Sequence, residues 1–204
     1  ALRDVTPAQF AARAGLGVLD GGKSTLYMDA DIVYHRAVLE LSLSSDRERS
    51  SMLVCSRHDH SLEEVLVYGS VDRPRFLGKG LTPPLVDHEP CLGEAAGIVK
   101  IAPRDQALAL ATMNWMLGDP AAPQDDLRRA GFGPARRATE HEELTARLMR
   151  NGRMTCRVFG PEHAFMEVDS PEEYRRLRTE VYPEILRLEA SQDLAAAEGK
   201  AGAS

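Results

Sequence analysis

The chain has 204 residues, of which 43% are hydrophobic and 27% are charged, so it can bury the core of one domain, with or without an appendage. Its formal net charge of -6 argues against a surface that coats nucleic acid. No apolar run approaches the roughly 20 residues that span a bilayer, and the three scattered cysteines are typical of reduced thiols, so we expect a cytoplasmic protein that binds neither nucleic acid nor membranes.

Helix-like and strand-like segments alternate along the chain. The predicted elements are a helix at 7–16, a strand at 25–33, a helix at 37–45, a strand at 51–57, a hairpin at 63–80, a strand at 93–103, helices at 105–117 and 141–152, strands at 154–160 and 163–169, and a helix at 170–188 with Ser170 as its N-cap. This order predicts an α/β fold with a mixed, mostly parallel Rossmann-like sheet flanked by helices. Residues 1–187 are expected to form one domain, and the Ala- and Gly-rich residues 188–204 a disordered tail.

The stretch GVLDGGKS, residues 17–24, matches the phosphate-binding pattern G-x-x-x-x-G-K-S/T. A phosphate loop needs a strand before it and a helix after it, whose first N–H groups bind the phosphates. Here the predicted helix comes first and the strand follows. We therefore interpret the stretch as the end of a helix and a turn.

Two apolar strands, LYMDADIV and FMEVD, carry acidic residues at i, i+2 spacing. The pairs are Asp29 with Asp31 and Glu167 with Asp169. In a strand this spacing places both carboxylates on one face, where they repel each other unless they are protonated, solvated or neutralised. A hard divalent metal is the natural partner, and two such strands side by side in a parallel sheet would form a metal-phosphate site at its edge. Alternatively, these residues only cap loops and the last helix.

Five motifs occur in order across residues 23–187, namely LYMDADIV, RPRFLGKG, CLGEAAGIVKIAP, EHEELTARLMRNG and FMEVDSPEEYRRLRTEVYP. Together they resemble the nucleoside-diphosphate-sugar pyrophosphorylase-like nucleotidyltransferases, and most of all their phosphocholine and phosphonate cytidylyltransferase branch. That branch has a D-x-D strand, a G-K after a hairpin, a G-E-x-x-G-I-x-K/R strand, an acidic helix that ends in Gly, and an E-x-D strand. The resemblance implies the fold of the nucleotide-diphospho-sugar transferases.

The resemblance also implies a cofactor, Mg²⁺, and roles for individual residues. Asp31 would be the principal metal ligand, with Asp29 in support, and Asp169 would be the second ligand, with Glu167 nearby. Lys79 would contact a phosphate or phosphonate oxygen as a point cation. Asp31 and Lys79 are thus the implied catalytic residues.

The implied acceptor pocket contains three more carboxylates. Glu94, Glu142 and Glu143 would line it and hold a cationic head group such as choline or an aminoethyl group. In the implied reaction, an oxygen of a small phosphate or phosphonate attacks the α-phosphorus of CTP, or of another nucleoside triphosphate, and pyrophosphate is released. No covalent protein intermediate is needed. The oligomeric state is left open, and a homo-oligomer is one option.

Members of this family begin with a strand that leads to a glycine-rich L-x-A-G-x-G-x-R loop and a downstream P-K. Neither motif occurs in this sequence. We therefore expect the family fold to be incomplete at the N-terminus, and the activity of this chain alone is an open question. Two alternatives remain, a metal-dependent glycosyltransferase that uses a sugar nucleotide and a non-catalytic binding or regulatory relative.

Overall fold

A computed structural model describes residues 22–44, 46–58, 64–116 and 142–201. The strands are β1 (Thr25–Met28), β2 (Ile32–Tyr34), β3 (Ser50–Cys55), β4 (Leu66–Ser70), β5 (Arg73–Gly78), β6 (Cys91–Ile101), β7 (Met154–Phe159) and β8 (Phe165–Glu167). The helices are α1 (Arg36–Leu43), α2 (Gln106–Met116), α3 (Glu142–Arg150), α4 (Pro171–Arg176) and α5 (Tyr182–Ala201), with short 3-10 turns at Pro83–Val86 and Pro103–Asp105 and a π turn at Leu177–Val181. The predicted helix at 7–16 lies outside the described residues.

Among the described residues the main sheet has six strands, in the order β5-β4-β6-β3-β7, with β1 paired to the end of β6. The predicted α/β class, mixed sheet and flanking helices are confirmed. The prediction that the sheet is mostly parallel is wrong for the described strands, because only β3 and β7 pair in parallel. A short connection explains one of the antiparallel pairs. The turn at Val71 and Asp72 joins β4 directly to β5 and allows only antiparallel pairing, whereas a parallel pair needs a long crossover.

The predicted strand at 25–33 is in fact two strands in two sheets. β1 ends at Met28 in the main sheet, and β2 begins at Ile32 in a separate two-stranded ribbon with β8. Asp29 and Asp31 lie on either side of this step, so they do not share one strand face as predicted. The step from β1 to β2 is not evident in the sequence, because apolar residues continue at the same period on both sides of it.

β3 divides the core into two layers. Met52 and Val54 face one layer, and Leu53 and Cys55 face the other, as the period of a strand requires. The helices contribute to the first layer through Ala109 and Met113 of α2 and Leu144 and Leu148 of α3. The second layer contains Val38 of α1 and Phe165 of β8. Each large apolar side chain buried here stabilises the fold by about 1.5–3 kcal/mol. Because Phe165 belongs to β8, its burial also fixes the ribbon against the sheet.

α3 ends where the sequence predicts, at Asn151 and Gly152. Gly152 adopts a φ of 63°, and the following amide, that of Arg153, donates to the Leu148 carbonyl at 2.8 Å. This left-handed end satisfies carbonyl groups that the helix leaves unpaired, and glycine adopts it without a steric penalty.

Residues 188–201 belong to α5 rather than to the predicted disordered tail. Their Ala, Leu, Glu and Gln residues favour helix, and the Arg36 side chain anchors this segment by bonds to Gln192 at 3.2 Å and Asp193 at 2.5 Å. The π turn directly precedes α5, and Pro183, which lacks an N–H for the helical ladder, is the second residue of α5. No helix in the described part of the chain has both the length and the apolar character that a bilayer crossing needs.

Candidate metal site and adjoining cleft

Three carboxylates, those of Asp31, Glu167 and Asp169, meet at one end of the β2–β8 ribbon. Ile32 lies opposite Glu167, and the Val168 N–H donates to the Asp31 carbonyl oxygen at 2.9 Å. One carboxylate oxygen from each of the three residues lies within 4.8 Å of the others. The two acidic segments therefore do meet, but by a different route from the one expected. An antiparallel ribbon places the start of β2 beside the end of β8, whereas we expected neighbouring strands of a parallel sheet.

This carboxylate group fits a hard divalent cation. Mg²⁺ binds carboxylate oxygens at about 2.0–2.1 Å, so the ligands of one ion lie up to about 4.2 Å apart. The side chains are exposed at the surface, and a small rotation from separations of up to 4.8 Å brings their oxygens into that range. The group offers neither thiol nor imidazole, so its chemistry favours Mg²⁺ or Mn²⁺ over zinc.

The pKa of Glu167 is raised to about 7. Desolvation of its carboxyl group is the largest cause, although the residue as a whole remains exposed at the surface. The charges of Asp169, Asp31 and Asp29 add to the rise, and that of Lys79 opposes it. A carboxylate group that holds a proton near neutral pH is one that a divalent cation can neutralise instead.

The backbone of Asp169 is fixed by the start of α4. The Ser170 hydroxyl accepts a hydrogen bond from the Glu173 N–H at 3.2 Å and donates one to the Glu173 carboxylate at 2.9 Å. The same carboxylate accepts a bond from the Asp169 N–H at 2.9 Å. The N-cap predicted at Ser170 is confirmed, and the reciprocal contacts hold Asp169 at the end of the ribbon.

Asp29 approaches the same region from β1. Its N–H donates to the Gly97 carbonyl oxygen at 2.9 Å, and its carboxylate lies against the Gly97 Cα, where no side chain intervenes. Tyr27 precedes Asp29 by two residues, and its pKa is raised to about 12 by burial and then by the charges of Asp29, Glu142 and Asp31. Its hydroxyl thus stays protonated beside these carboxylates. Tyr27 was not among the predicted site residues, although its i, i+2 spacing from Asp29 was a signal.

A cleft of about 880 Å³ adjoins the carboxylate group. Six of the eight predicted site residues line it: Asp29, Lys79, Glu94, Glu142, Glu167 and Asp169. They come from different elements, with Lys79 directly after β5, Glu94 in β6 and Glu142 at the start of α3, which packs against β5. Asp31 belongs to the carboxylate group but not to the cleft wall. Glu143 is only 5% exposed within α3, and the structure does not bring it to the cleft.

The cleft wall also contains four charged residues that were not predicted from the sequence: Arg57, Glu64, Glu173 and Arg176. Arg57 and Glu64 flank a loop between β3 and β4, and no motif marks them. Among the described lining residues, seven are Asp or Glu and three are Lys or Arg. A polyanion would be repelled by this wall unless cations entered with it.

Comparison with known proteins identifies solved structures that share this fold. No protein-family model and no curated protein matches the sequence. Among solved structures, the inositol-1-phosphate CTP transferase from T. maritima superposes with a TM-score of 0.51 at 15% identity, over 82% of this chain and 56% of that one. A protein assigned as a glucose-1-phosphate thymidylyltransferase from Bacillus anthracis, solved with sucrose, gives 0.52 at 12% identity, over 85% and 60%. The chain thus spans less than two thirds of either structure, and over that part it has the fold of these nucleotidyltransferase structures.

Proposed function

We propose that this chain belongs to a metal-dependent nucleotidyltransferase that joins a nucleoside monophosphate, from CTP or another nucleoside triphosphate, to a small phosphate or phosphonate. The observation that carries the proposal is the meeting of Asp31, Glu167 and Asp169 beside a cleft that also contains Lys79. The likeness to two structures named as transferases of CTP and of a thymidylyl group supports the reaction class.

In this proposal Asp31, Glu167 and Asp169 hold Mg²⁺ through their carboxylate oxygens. When bound, the ion supplies charge neutralisation and orientation for the triphosphate. Asp29 reaches the same cleft from β1 and adds negative charge beside the group, as its effect on Glu167 indicates. These residues together attract the cation that a nucleotide needs in order to enter an acidic cleft.

Lys79 is the proposed partner of the transferred or accepting phosphate. It lies on the cleft wall, close enough to Glu167 for its charge to oppose the rise in that residue's pKa. A lysine at such a position stabilises anionic oxygens as a compact charge. Across the cleft wall, Glu94 and Glu142 are suited to a cationic or hydroxyl-rich part of the acceptor, which they would bind through ionic contacts or hydrogen bonds.

The proposed chemical step needs no protein nucleophile. An anionic acceptor oxygen forms a bond to the α-phosphorus, and the bond from that phosphorus to the bridging oxygen of pyrophosphate breaks. The acceptor oxygen is already ionised, so no general base is required. The names of the two solved structures suggest testing inositol-1-phosphate and glucose-1-phosphate beside phosphocholine and aminoethylphosphonate.

Pyrophosphate release by the purified chain tests the proposal. Each of the four nucleoside triphosphates would be combined with each acceptor in the presence of Mg²⁺, and an Asp31→Asn variant would serve as the negative control. Release that depends on one acceptor and is lost in the variant would support the assignment. Transfer of a sugar from a sugar nucleotide without pyrophosphate release would favour a glycosyltransferase instead. Binding of metal and nucleotide without turnover would favour a non-catalytic relative.

A further inference from the structure

Gly97 occupies a special position in β6, at the point where β1 ends. Its φ is 63°, and its carbonyl oxygen accepts the Asp29 N–H at 2.9 Å. The strand pairing stops one residue earlier, at Met28 and Ile98. The Asp29 backbone is therefore held by Gly97 itself, and the Asp29 side chain leaves the sheet directly above this glycine.

A side chain at position 97 would collide with Asp29. A Cβ built on Gly97 overlaps Asp29 Oδ2 and lies 3.0 Å from Asp29 Cγ and 3.1 Å from Asp29 Cβ. Its three nearest neighbours all belong to this one side chain. Gly93 in the same strand is different, since a Cβ there would meet the backbone of Cys55 and Ser56. The Asp29 carboxylate thus occupies the space that a side chain at position 97 would take.

The position of this carboxylate matters to the metal group. Asp29 lines the cleft together with Glu167 and Asp169, two members of the carboxylate group. Because its backbone is fixed by the bond to Gly97, a collision with a new side chain would rotate the Asp29 carboxylate away from its present place. In the proposed site Asp29 would support the ligand group, and loss of an outer-shell partner of metal ligands typically weakens metal binding about 10–100-fold.

We propose that Gly97 is a positioning residue. Because it has no side chain, it leaves room for the Asp29 carboxylate beside the group formed by Asp31, Glu167 and Asp169. Gly97 itself touches neither metal nor substrate in this scheme. The inference rests on the proposed metal site, and it adds a residue whose effect must be transmitted through Asp29.

The contact can be tested without any metal. Gly97→Ala, Asp29→Ala and the double variant would be compared by thermal unfolding, with Gly152→Ala as the matched control. Gly152 has the same φ of 63° but nothing within 4 Å of an added Cβ, so it reports the backbone strain alone. We expect Gly97→Ala to lower the Tm more than Gly152→Ala does, and to lower it less in the Asp29→Ala background, with a recovery of about 3 °C or more.

Equal effects of Gly97→Ala in the two backgrounds would overturn the inference. If Gly97→Ala alone fails to fold, the double variant decides the matter. Recovery of a cooperative transition would support the contact, and continued failure to fold would overturn it.

The consequence for the metal is measured by titrating Mn²⁺ into each variant of the 204-residue chain in a calorimeter. We expect binding by the wild-type chain and by Gly152→Ala with the same Kd, and binding at least about 10-fold weaker by Gly97→Ala. Unchanged affinity in Gly97→Ala would overturn the positioning role and leave the proposed function intact. Failure of the wild-type chain to bind Mn²⁺ would overturn both.

Discussion

The Asp31 carbonyl oxygen accepts a hydrogen bond from the Val168 N–H at 2.9 Å, and this bond ties together two acidic segments that lie far apart in the sequence. It continues the β2–β8 pairing by one step, to the point where the Asp31, Glu167 and Asp169 side chains converge. The carboxylates are thus brought together by backbone pairing. Changes to their side chains should therefore alter the site without unfolding the ribbon.

The first prediction concerns Asp169. Asp169→Asn removes one anionic ligand and keeps the size of the side chain, so we expect Mn²⁺ binding and pyrophosphate release to fall by about 100-fold or more. Calorimetric titration and a pyrophosphate assay measure the two quantities. Glu172→Gln is the matched control, because Glu172 lies three residues away in α4 with its side chain 84% exposed. Equal losses in both variants would contradict a specific role for Asp169.

The second prediction is a pH dependence of stability. In the folded chain the pKa of Glu167 is about 7, against an ordinary value of 4.5. Between these values the folded state retains a proton that the unfolded chain has released, so stability falls as pH rises from about 4.5 to 7. Glu167→Gln stays neutral throughout. We expect its Tm to match that of the wild type near pH 4 and to exceed it at pH 8, by a margin that screening at this exposed site keeps small.

Divalent cations should reverse this difference. At pH 8 the Glu167 carboxyl group is mostly ionised, because its pKa is about 7, and Mg²⁺ binding stabilises the folded state by mass action. The Gln variant lacks one ligand, so its Tm should rise less when Mg²⁺ is added. Wild-type and variant Tm curves that run parallel across pH, with and without Mg²⁺, would contradict this account of the site.

The sequence predicted most elements and the meeting of the acidic segments, but not how that meeting is built. Local signals sufficed for Ser170 as a helix cap and Gly152 as a helix end, because these depend on a few neighbouring residues. The step between β1 and β2 depends on pairing of Ile32 with Glu167, which no local pattern reveals. For the same reason Glu143 was placed at the acceptor pocket although it is buried, since the face of α3 that meets the cleft is set by packing against β5 and β7.

The third prediction concerns Lys79. Lys79→Met removes the charge and retains most of the apolar stem, and we expect kcat/KM for pyrophosphate release to fall by about 100- to 1000-fold. Lys79→Arg should recover part of the loss, because the charge returns with a different geometry. Lys23→Met is the control, since Lys23 is exposed and is not part of the cleft lining. A loss confined to KM for the acceptor would identify Lys79 as a binding residue, and no loss would exclude it from the site.

The last prediction separates the helix cap from the metal site it supports. Ser170→Ala removes the acceptor for the Glu173 N–H and should lower the free energy of unfolding by about 1 kcal/mol, or the Tm by about 2–4 °C. Because the cap also holds the Glu173 carboxylate against the Asp169 N–H, we expect weaker Mn²⁺ binding as well. Thr179→Ala is a control without this link, since its hydroxyl donates to the Arg175 carbonyl at 3.0 Å. If Ser170→Ala lowered the Tm but left Mn²⁺ affinity unchanged, the cap would stabilise α4 without positioning Asp169, and the ribbon alone would have to hold the carboxylate group.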